Sequence, residues 1–397
     1  MTQTFNANLT HSLFYSVPFA LSEEQFDGRV KKICPDALAY QSKGETKDAH
    51  FRQMQTVERF LRGGSQTYSV RRFFLRSLCP DAKACGFSDV FLMLSYFEET
   101  SVVAFSFHYS VEEILLDQLI GLRQSGQARV YRFGEKEESF SDFAADFAVQ
   151  LGLPRTFTEQ SFLCEVTRFG EFTSPEEIEE KAPDVLYGLL SGDEGYSFVP
   201  KELCRERLSY SWSSRDFIRI YGVGKAFLFL NLIASPSHEK YLERQRVFGG
   251  EIYGAADEYF FLGSNPLSVN HGILFSVEFV MMLKTLVSDV LTFQSAFGKR
   301  KKHMSYYRRI RETREFRRRI ILVLEKVEQT AITEIGELSA VLMESQHIAP
   351  IVDQVKYLLE LLEGDLSLIY SERSNLLVTI LTVLGLLLAA WQVLLAL

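Results

Sequence analysis

The chain has 397 residues, of which 47% are hydrophobic, and a formal net charge of −8 at pH 7. This length allows one large domain or two to three ordinary ones. The charge is uneven, because residues 1–298 carry −10 and residues 299–397 carry +2, and an acidic body argues against nucleic acid as a general partner.

The N-terminal region lacks a basic segment ahead of its apolar stretch at residues 13–21, so we expect targeting to come from the other end of the chain. Residues 1–65 are predicted to be an irregular or helical lead-in. The five cysteines form no CxxC pair. This spacing favours reduced cysteines in a cytosolic protein over a zinc site.

Between residues 89 and 233 the pattern alternates strands with short helices. The stretch "DVFLMLSYFEETSVVAFSFHYS" (89–110) predicts a hairpin that turns at "EET". Helices are expected at 111–126, at 140–153 with Ser141 as a cap, and at 174–190 after Ser174, and strands at 128–133, 161–169 and within 206–233. Interleaved hairpins and helices predict an α+β head with a mixed or antiparallel sheet over residues 1–265, with two sub-domains if it divides near residue 200.

Motifs for catalysis do not stand out in the head. "YGVGK" (221–225) lacks the GxxxxGK[ST] spacing of a phosphate loop and is better interpreted as a hairpin turn. The histidines form no HExxH pattern, and no GxSxG is present. We therefore expect a protein that is not an enzyme and has no catalytic residue, cofactor or metal ligand.

From residue 266 onward the pattern is almost entirely helical. Residues 266–297 predict one long helix whose Glu278, Lys284 and Asp289 make it a poor membrane span. Apolar repeats on both sides of Pro350 predict further helices. Together these segments predict a coiled-coil-like helical hairpin or stalk over residues 266–373.

A dense basic run lies inside this helical region. Residues 299–319 hold eleven Lys or Arg against two Glu. The run could bind anionic lipid headgroups at ~1 kcal/mol per basic residue, RNA or another polyanion, or the acidic head of its own or a neighbouring chain. The residues considered for lipid contact are Lys299, Arg300, Lys301, Lys302, Arg308 and Arg309.

The last segment predicts one transmembrane helix at residues 374–397. It carries no charge from residue 374 onward. As a helix, residues 375–397 would be roughly 34 Å long, enough to cross a hydrocarbon core of ~30 Å. Lys356 and Arg373 precede the span and no charge follows it, so we expect residues 1–373 in the cytoplasm. The chain is thus predicted to be a single-pass, tail-anchored membrane protein.

This span has a polar face. Asn375, Thr379, Thr382 and Ala389 recur at helical spacing, with Gly385 beside them. Such a stripe could form a helix–helix contact in an oligomer, line a narrow pore, or consist of hydroxyls that bond back to their own helix. These three interpretations stay open.

The stretch "YSERSNLLVTILTV" resembles the start of the first membrane helix of the CorA-like magnesium and cobalt transporters. Asn375, Val378, Leu381 and Thr382 match that pattern by position and type. The resemblance implies that Asn375, Thr379 and Thr382 face a pentameric axis and that Mg²⁺ is the transported ion. The family's second span and its Gly-Met-Asn signature are not found in this sequence.

The layout also resembles tail-anchored proteins related to "required for meiotic nuclear division protein 1". Those proteins have an α+β region, a helical region and one C-terminal span. Here "DFIRIYGVGKAFLFLN" is similar to their strand pair and "YSERSNLL" to their pre-membrane stretch. This resemblance implies membrane-tethered organisation.

Taken together, the sequence predicts a homo-oligomeric, membrane-tethered scaffold or sensor that contacts lipid and recruits a cytosolic protein partner. The alternative is a CorA-like oligomeric channel for divalent cations in which each subunit gives one pore helix.

Overall fold

The computed structural model of the protein describes residues 4–17, 21–39, 70–75, 78, 86–87, 89–98, 100–125, 131–133, 136–233, 235–240, 243, 260–262, 265–267, 271–299, 311, 314, 318, 321 and 333–396. Within this part of the chain, the strands are β1 (Thr4–Ser16), β2 (Leu38–Ala39), β3 (Val70–Phe74), β4 (Asp89–Phe97), β5 (Val102–Leu115), β6 (Tyr131–Phe133), β7 (Lys136–Glu138), β8 (Glu159–Phe169), β9 (Ser211–Arg215), β10 (Ile218–Val223), β11 (Ala226–Asn231), β12 (Phe260–Leu262) and β13 (Asn265–Leu267).

The helices of the same described residues, numbered in chain order, are α1 (Glu23–Ile33), α2 (Leu116–Ser125), α3 (Phe140–Leu151), α4 (Pro175–Lys181), α5 (Pro183–Ser191), α6 (Lys201–Arg207), α7 (His271–Lys299), α8 (Thr333–Ser345) and α9 (Ile348–Ala396).

A nine-stranded mixed sheet forms the centre of the head, in the order β2-β3-β4-β5-β1-β8-β11-β10-β9. Its paired strands run antiparallel except β8 and β11, which are parallel. The hairpin predicted at 89–110 is confirmed as β4 and β5. The predicted α+β class with a mixed sheet is therefore correct.

The first strand corrects the prediction of an irregular or helical lead-in. β1 lies between β5 and β8 near the middle of the sheet. Its sequence, "TFNANLTHSLFYS", alternates along most of its length between apolar residues such as Phe5 and Leu9 and polar residues such as Asn8 and Thr10. That period of two marks a strand. The prediction overlooked this alternation. The structure adds that α7 covers the polar side, where Thr10 and Ser12 are buried.

Helices cover both faces of the sheet. Helices α2, α3 and α5 contact one face, and α7 lies across the other against β1, β5 and β8. Both interfaces belong to one hydrophobic core that runs from Phe5 to Ile348. Ring contacts such as Phe107 with Phe140, with centroids 4.2 Å apart, help to fix α3 on the sheet.

The short helices of the head lie close to where the sequence predicts them, but some of their ends and caps differ. The strand β5 continues to Leu115, so α2 begins five residues later than the helix expected at 111–126. The cap of α3 is Ser139, whose Oγ accepts from the backbone N–H of Asp142 at 3.1 Å, and not Ser141. The helix expected at 174–190 is two helices, because the chain breaks at Ala182 before Pro183, whose ring disfavours the α-helical conformation of the residue before it.

The long helix predicted at 266–297 is α7, and it packs on the sheet. Glu278 is fully buried there and forms a two-pronged ion pair with Arg72 of β3, with N–O distances of 2.7 and 3.1 Å. The charge that argues against a membrane span thus has a partner in the head. Most of residues 300–332 lie outside the described residues, so the long stalk, and the division into 1–265, 266–373 and 374–397, stay predictions.

The last helix joins the head to an apolar segment without a break. α9 spans 49 residues, from Ile348, which is buried in the head core, to Ala396. Residues Tyr370–Leu388 within it have a mean hydropathy of 1.4, and none of the described side chains among them is buried. By length and composition, this segment can cross a membrane.

Candidate functional site

The predicted polar face of the span lies on an exposed stretch of α9. Asn375, Thr379, Thr382 and Gly385 are all solvent-exposed in the isolated chain. The Thr379 hydroxyl donates to the Asn375 carbonyl and the Thr382 hydroxyl to the Val378 carbonyl, each at 2.8 Å. Their hydroxyls are therefore satisfied within the helix, as threonine permits in apolar surroundings. Ala389 is in the same helix, and its side chain lies outside the described residues.

The basic run cannot be placed in space. Lys299 is the last residue of α7, and its side chain lies outside the described part of the chain. The described part of the chain also leaves out Arg300, Lys301, Lys302, Arg308 and Arg309. The three interpretations of this run stay predictions.

The "YGVGK" stretch is confirmed as the turn between β10 and β11. Gly224 has φ +60°, a conformation that glycine adopts at little cost. At Gly222, a Cβ atom would lie 2.5 Å from the Ser345 hydroxyl of α8, so the glycine allows this close approach. Both glycines serve packing and chain reversal, which fits the turn interpretation.

A cavity of about 260 Å³ opens where strands β1, β8 and β11 meet the ends of α2, α3 and α5. Its apolar walls include His11 and Leu13 of β1, Phe162 of β8 and Phe140 at the start of α3. The residue Arg123, in the last turn of α2, supplies a cationic side chain. Among the described residues that line the cavity, none is an aspartate or a glutamate.

The Arg123 side chain lies against the C-terminal end of α5. A Cβ atom on Gly192 would come within 2.7 Å of the Arg123 Nη1, so the guanidinium needs glycine at this cap. Among the described residues, Nη1 has no hydrogen-bond partner although it is shielded from solvent. Burial lowers the pKa of Arg123 to about 10, which the nearby Cys164 and Tyr187 partly offset. Arg123 remains charged at neutral pH.

His11 forms the aromatic floor of the cavity. Its ring stacks on Tyr109 with centroids 5.7 Å apart, lies 4.6 Å from the Phe162 ring, and its Nε2 is 2.8 Å from the Tyr109 hydroxyl. Burial, helped by the positive charge of Arg123, lowers the pKa of His11 to about 3. The imidazole is therefore neutral at pH 7 and contributes an aromatic surface.

The second cation at the cavity, Lys225, already has a partner. Its Nζ lies 2.8 Å from Glu159 Oε2, and the other oxygen of that carboxylate accepts from Ser288 of α7 at 2.9 Å. Lys225 is half-exposed in the turn before β11. Arg123 therefore contributes the positive charge of the cavity that no described carboxylate balances.

Buried polar groups also lie beneath α7, on the other face of the sheet. The Nδ1 of His108 is 2.8 Å from the Thr10 hydroxyl, and Glu165 accepts from Asn8 and Asn231 at 3.2 and 2.9 Å. Burial and the charge of Arg72 lower the pKa of His108 to about 3. Because these hydrogen bonds join strands to one another inside the core, the groups are best explained as structural.

Sequence reasoning missed the cavity, because its residues come from distant segments. His11, Arg123 and Phe162 have no motif spacing, and only the fold brings them together. The alternation of apolar and polar residues in β1 indicates a strand, but no local sequence pattern marks Arg123 as a cavity residue.

No family model, curated protein or solved structure gives a significant match to this chain. In the described residues, no group of three or more His, Cys, Asp or Glu side chains is placed to hold a metal ion. The resemblances to the CorA-like transporters and to the tail-anchored proteins rest on the sequence stretches quoted above and stay predictions.

Proposed function

We propose that this chain is a membrane-anchored protein whose α+β head lies in the cytoplasm and whose span mediates self-association. The observation that carries the proposal is the exposure of Tyr370–Leu388, an apolar segment of which no part is buried. In water such a surface would be strongly unfavourable, at roughly 25 cal/mol per Å² of apolar area. Lipid around the segment removes that cost.

The position of Arg373 supports the orientation of the span. It directly precedes the uncharged stretch, and basic residues at one end of a span favour the cytoplasmic side. The scaffold or sensor role follows from a head held at the bilayer by one continuous helix. In this role the head recruits a cytosolic protein partner.

Deleting residues 375–397 tests the anchor. We expect the full chain to float with liposomes and to resist extraction at high pH, and the shortened chain to stay in the soluble fraction. As a control, Val383→Leu keeps the span apolar and should leave membrane association unchanged. A shortened chain that still resists extraction would refute the anchor, whereas salt-sensitive binding would identify the basic run as a second contact.

Self-association through the polar face is tested by the double change Thr379→Leu/Thr382→Leu. Membrane insertion should persist, because leucine is at least as apolar. Crosslinking between copies in detergent should fall several-fold, since leucine keeps the two backbones from approaching as closely as small and hydroxyl residues allow. The matched control is Leu381→Ile, which alters a different side of the helix. Equal crosslinking in wild type and the double variant would contradict a contact through this face.

The CorA-like channel is the alternative function. The same double variant distinguishes it, because lining hydroxyls would then be required for conduction. Divalent-cation flux into liposomes that the variant abolishes would favour the channel, and a chain without flux would leave the scaffold as the proposed role.

A further inference from the structure

We propose that the cavity between the sheet and helices α2, α3 and α5 binds a small organic monocarboxylate with an apolar or aromatic body, held by Arg123. This inference goes beyond membrane anchoring and does not depend on it, since every residue of the cavity belongs to the head. It gives the head a ligand class.

The first argument is the charge of Arg123. Its Nη1 is shielded from solvent, and within the described residues it has no hydrogen-bond partner. The side chain as a whole is only partly buried and lines the cavity, so it is a partly desolvated cation without a carboxylate partner among the described residues. A carboxylate in the cavity would supply the opposite charge, and guanidinium binds carboxylate in a planar, two-pronged arrangement.

The second argument is the sign of the charges around the cavity. The described residues that line the cavity include no acidic side chain. Phe140 and Ser141, the first residues of α3, also line the cavity, but Asp142 in the same turn already supplies negative charge at this helix end. Arg123 therefore supplies the attraction that an anion meets in the cavity.

The number of unbalanced positive charges at the cavity favours a ligand with a single carboxylate. Lys225 is already paired with Glu159 at 2.8 Å, which leaves Arg123 to balance the ligand. One guanidinium neutralises a single negative charge, whereas a phosphate dianion would bring a second charge into the cavity. The neutral state of His11 adds no further positive charge.

The walls and the volume define the rest of the ligand. His11, Phe140 and Phe162 present aromatic surface, with the His11 ring 4.6 Å from Phe162 and 5.8 Å from Phe140. Drug-sized ligands occupy pockets of about 300–1,000 Å³. A cavity of about 260 Å³ therefore suits a smaller molecule, of the size of a single ring with a carboxylate.

A purely structural role for Arg123 is the competing explanation. The guanidinium lies at the C-terminal end of α5, where a helix dipole favours cations. In that case its replacement would destabilise the head without any effect on a ligand. The experiment therefore measures both properties.

The test uses the full chain in detergent micelles with benzoate, its neutral analogue benzamide, and inorganic phosphate as probes. Ligand-observed NMR titration gives the Kd of each probe, and thermal unfolding gives the midpoint with and without benzoate. The variant Arg123→Gln removes the charge, and Gln160→Glu adds a negative charge to the lining at nearly constant size. The control Arg155→Gln removes the same charge from an exposed position, where the arginine pairs with Asp146.

We expect saturable benzoate binding, with benzamide and phosphate weaker. Arg123→Gln and Gln160→Glu should each weaken benzoate roughly tenfold or more, while Arg155→Gln should not. Benzoate should raise the midpoint of the wild-type chain and of Arg155→Gln. The proposal is overturned if benzoate does not bind, if benzamide or phosphate binds as tightly, or if a folded Arg123→Gln chain binds benzoate with unchanged Kd. If Arg123→Gln does not fold, Gln160→Glu decides by the same criterion.

Discussion

Replacing Arg72 by methionine is expected to lower the free energy of unfolding of the head by about 3–5 kcal/mol. The change leaves Glu278 fully buried without the guanidinium that holds both of its oxygens at 2.7 and 3.1 Å. Glu278→Leu should be comparably costly, since it leaves the Arg72 charge in the same buried place. The loss is large because neither side chain can reach water.

The double variant Arg72→Met/Glu278→Leu separates the pair from its surroundings. It should recover much of the lost stability, because an apolar pair of similar volume carries no charge to desolvate. Urea unfolding of the full chain in micelles, followed by the emission of Trp212 in a Trp391→Phe background, measures all four chains. The control Lys181→Met breaks an exposed pair with Glu177 and should cost less than about 1 kcal/mol. A cost below that value for Arg72→Met would show that the pair does not hold α7 on the sheet.

Acidification from pH 6.5 towards pH 5 is expected to destabilise the head by up to roughly 2.7 kcal/mol per pH unit. His11 and His108 have folded-state pKa values lowered by burial to about 3, against an ordinary value of 6.5. Below pH 6.5 the unfolded chain therefore binds two protons that the folded chain does not. The stability is fully present above pH 6.5 and is lost progressively as the pH falls towards 3.

Single variants measure how much of the pH dependence of the unfolding free energy comes from each histidine. His11→Gln and His108→Asn should each remove about half of the pH dependence between pH 6.5 and 5, because each removes one proton-binding group. The exposed His347 has φ +51°, a conformation that asparagine tolerates, so His347→Asn is the matched control for replacing a histidine outside the core. Burial also lowers the pKa of His238, which adds a smaller contribution of the same sign. A stability that is flat over this range would contradict the buried neutral state of both rings.

Local patterns were sufficient for much of the head. The hairpin of β4 and β5 and the turn at Gly224 were predictable because alternation and turn residues act over a few positions. Ser174 was correctly expected to open a helix, and its hydroxyl accepts from the Glu177 N–H at 3.2 Å. The apolar segment of α9 was equally visible, since length and absence of charge are local properties.

The remaining features depend on contacts between distant segments. The alternation of β1 indicates a strand, but its place between β5 and β8 depends on pairing with segments about 100 and 150 residues away. The role of Glu278 was invisible because its partner lies 206 residues away in the sequence. The same reason hides the cavity, where Arg123 reaches Gly192 only after α2 and α5 have packed against the sheet.

The unbroken course of α9 has a consequence for geometry. Each residue of an α-helix turns the chain by about 100° and advances it by about 1.5 Å. Since Ile348 is fixed in the head core and the helix continues to Ala396, the azimuth of Thr379 around the helix axis is set relative to the sheet. Two copies that meet through that side of the span would therefore hold their heads at a defined mutual rotation. One inserted residue between head and span would turn the heads by about 100°, whereas seven would nearly restore the original rotation.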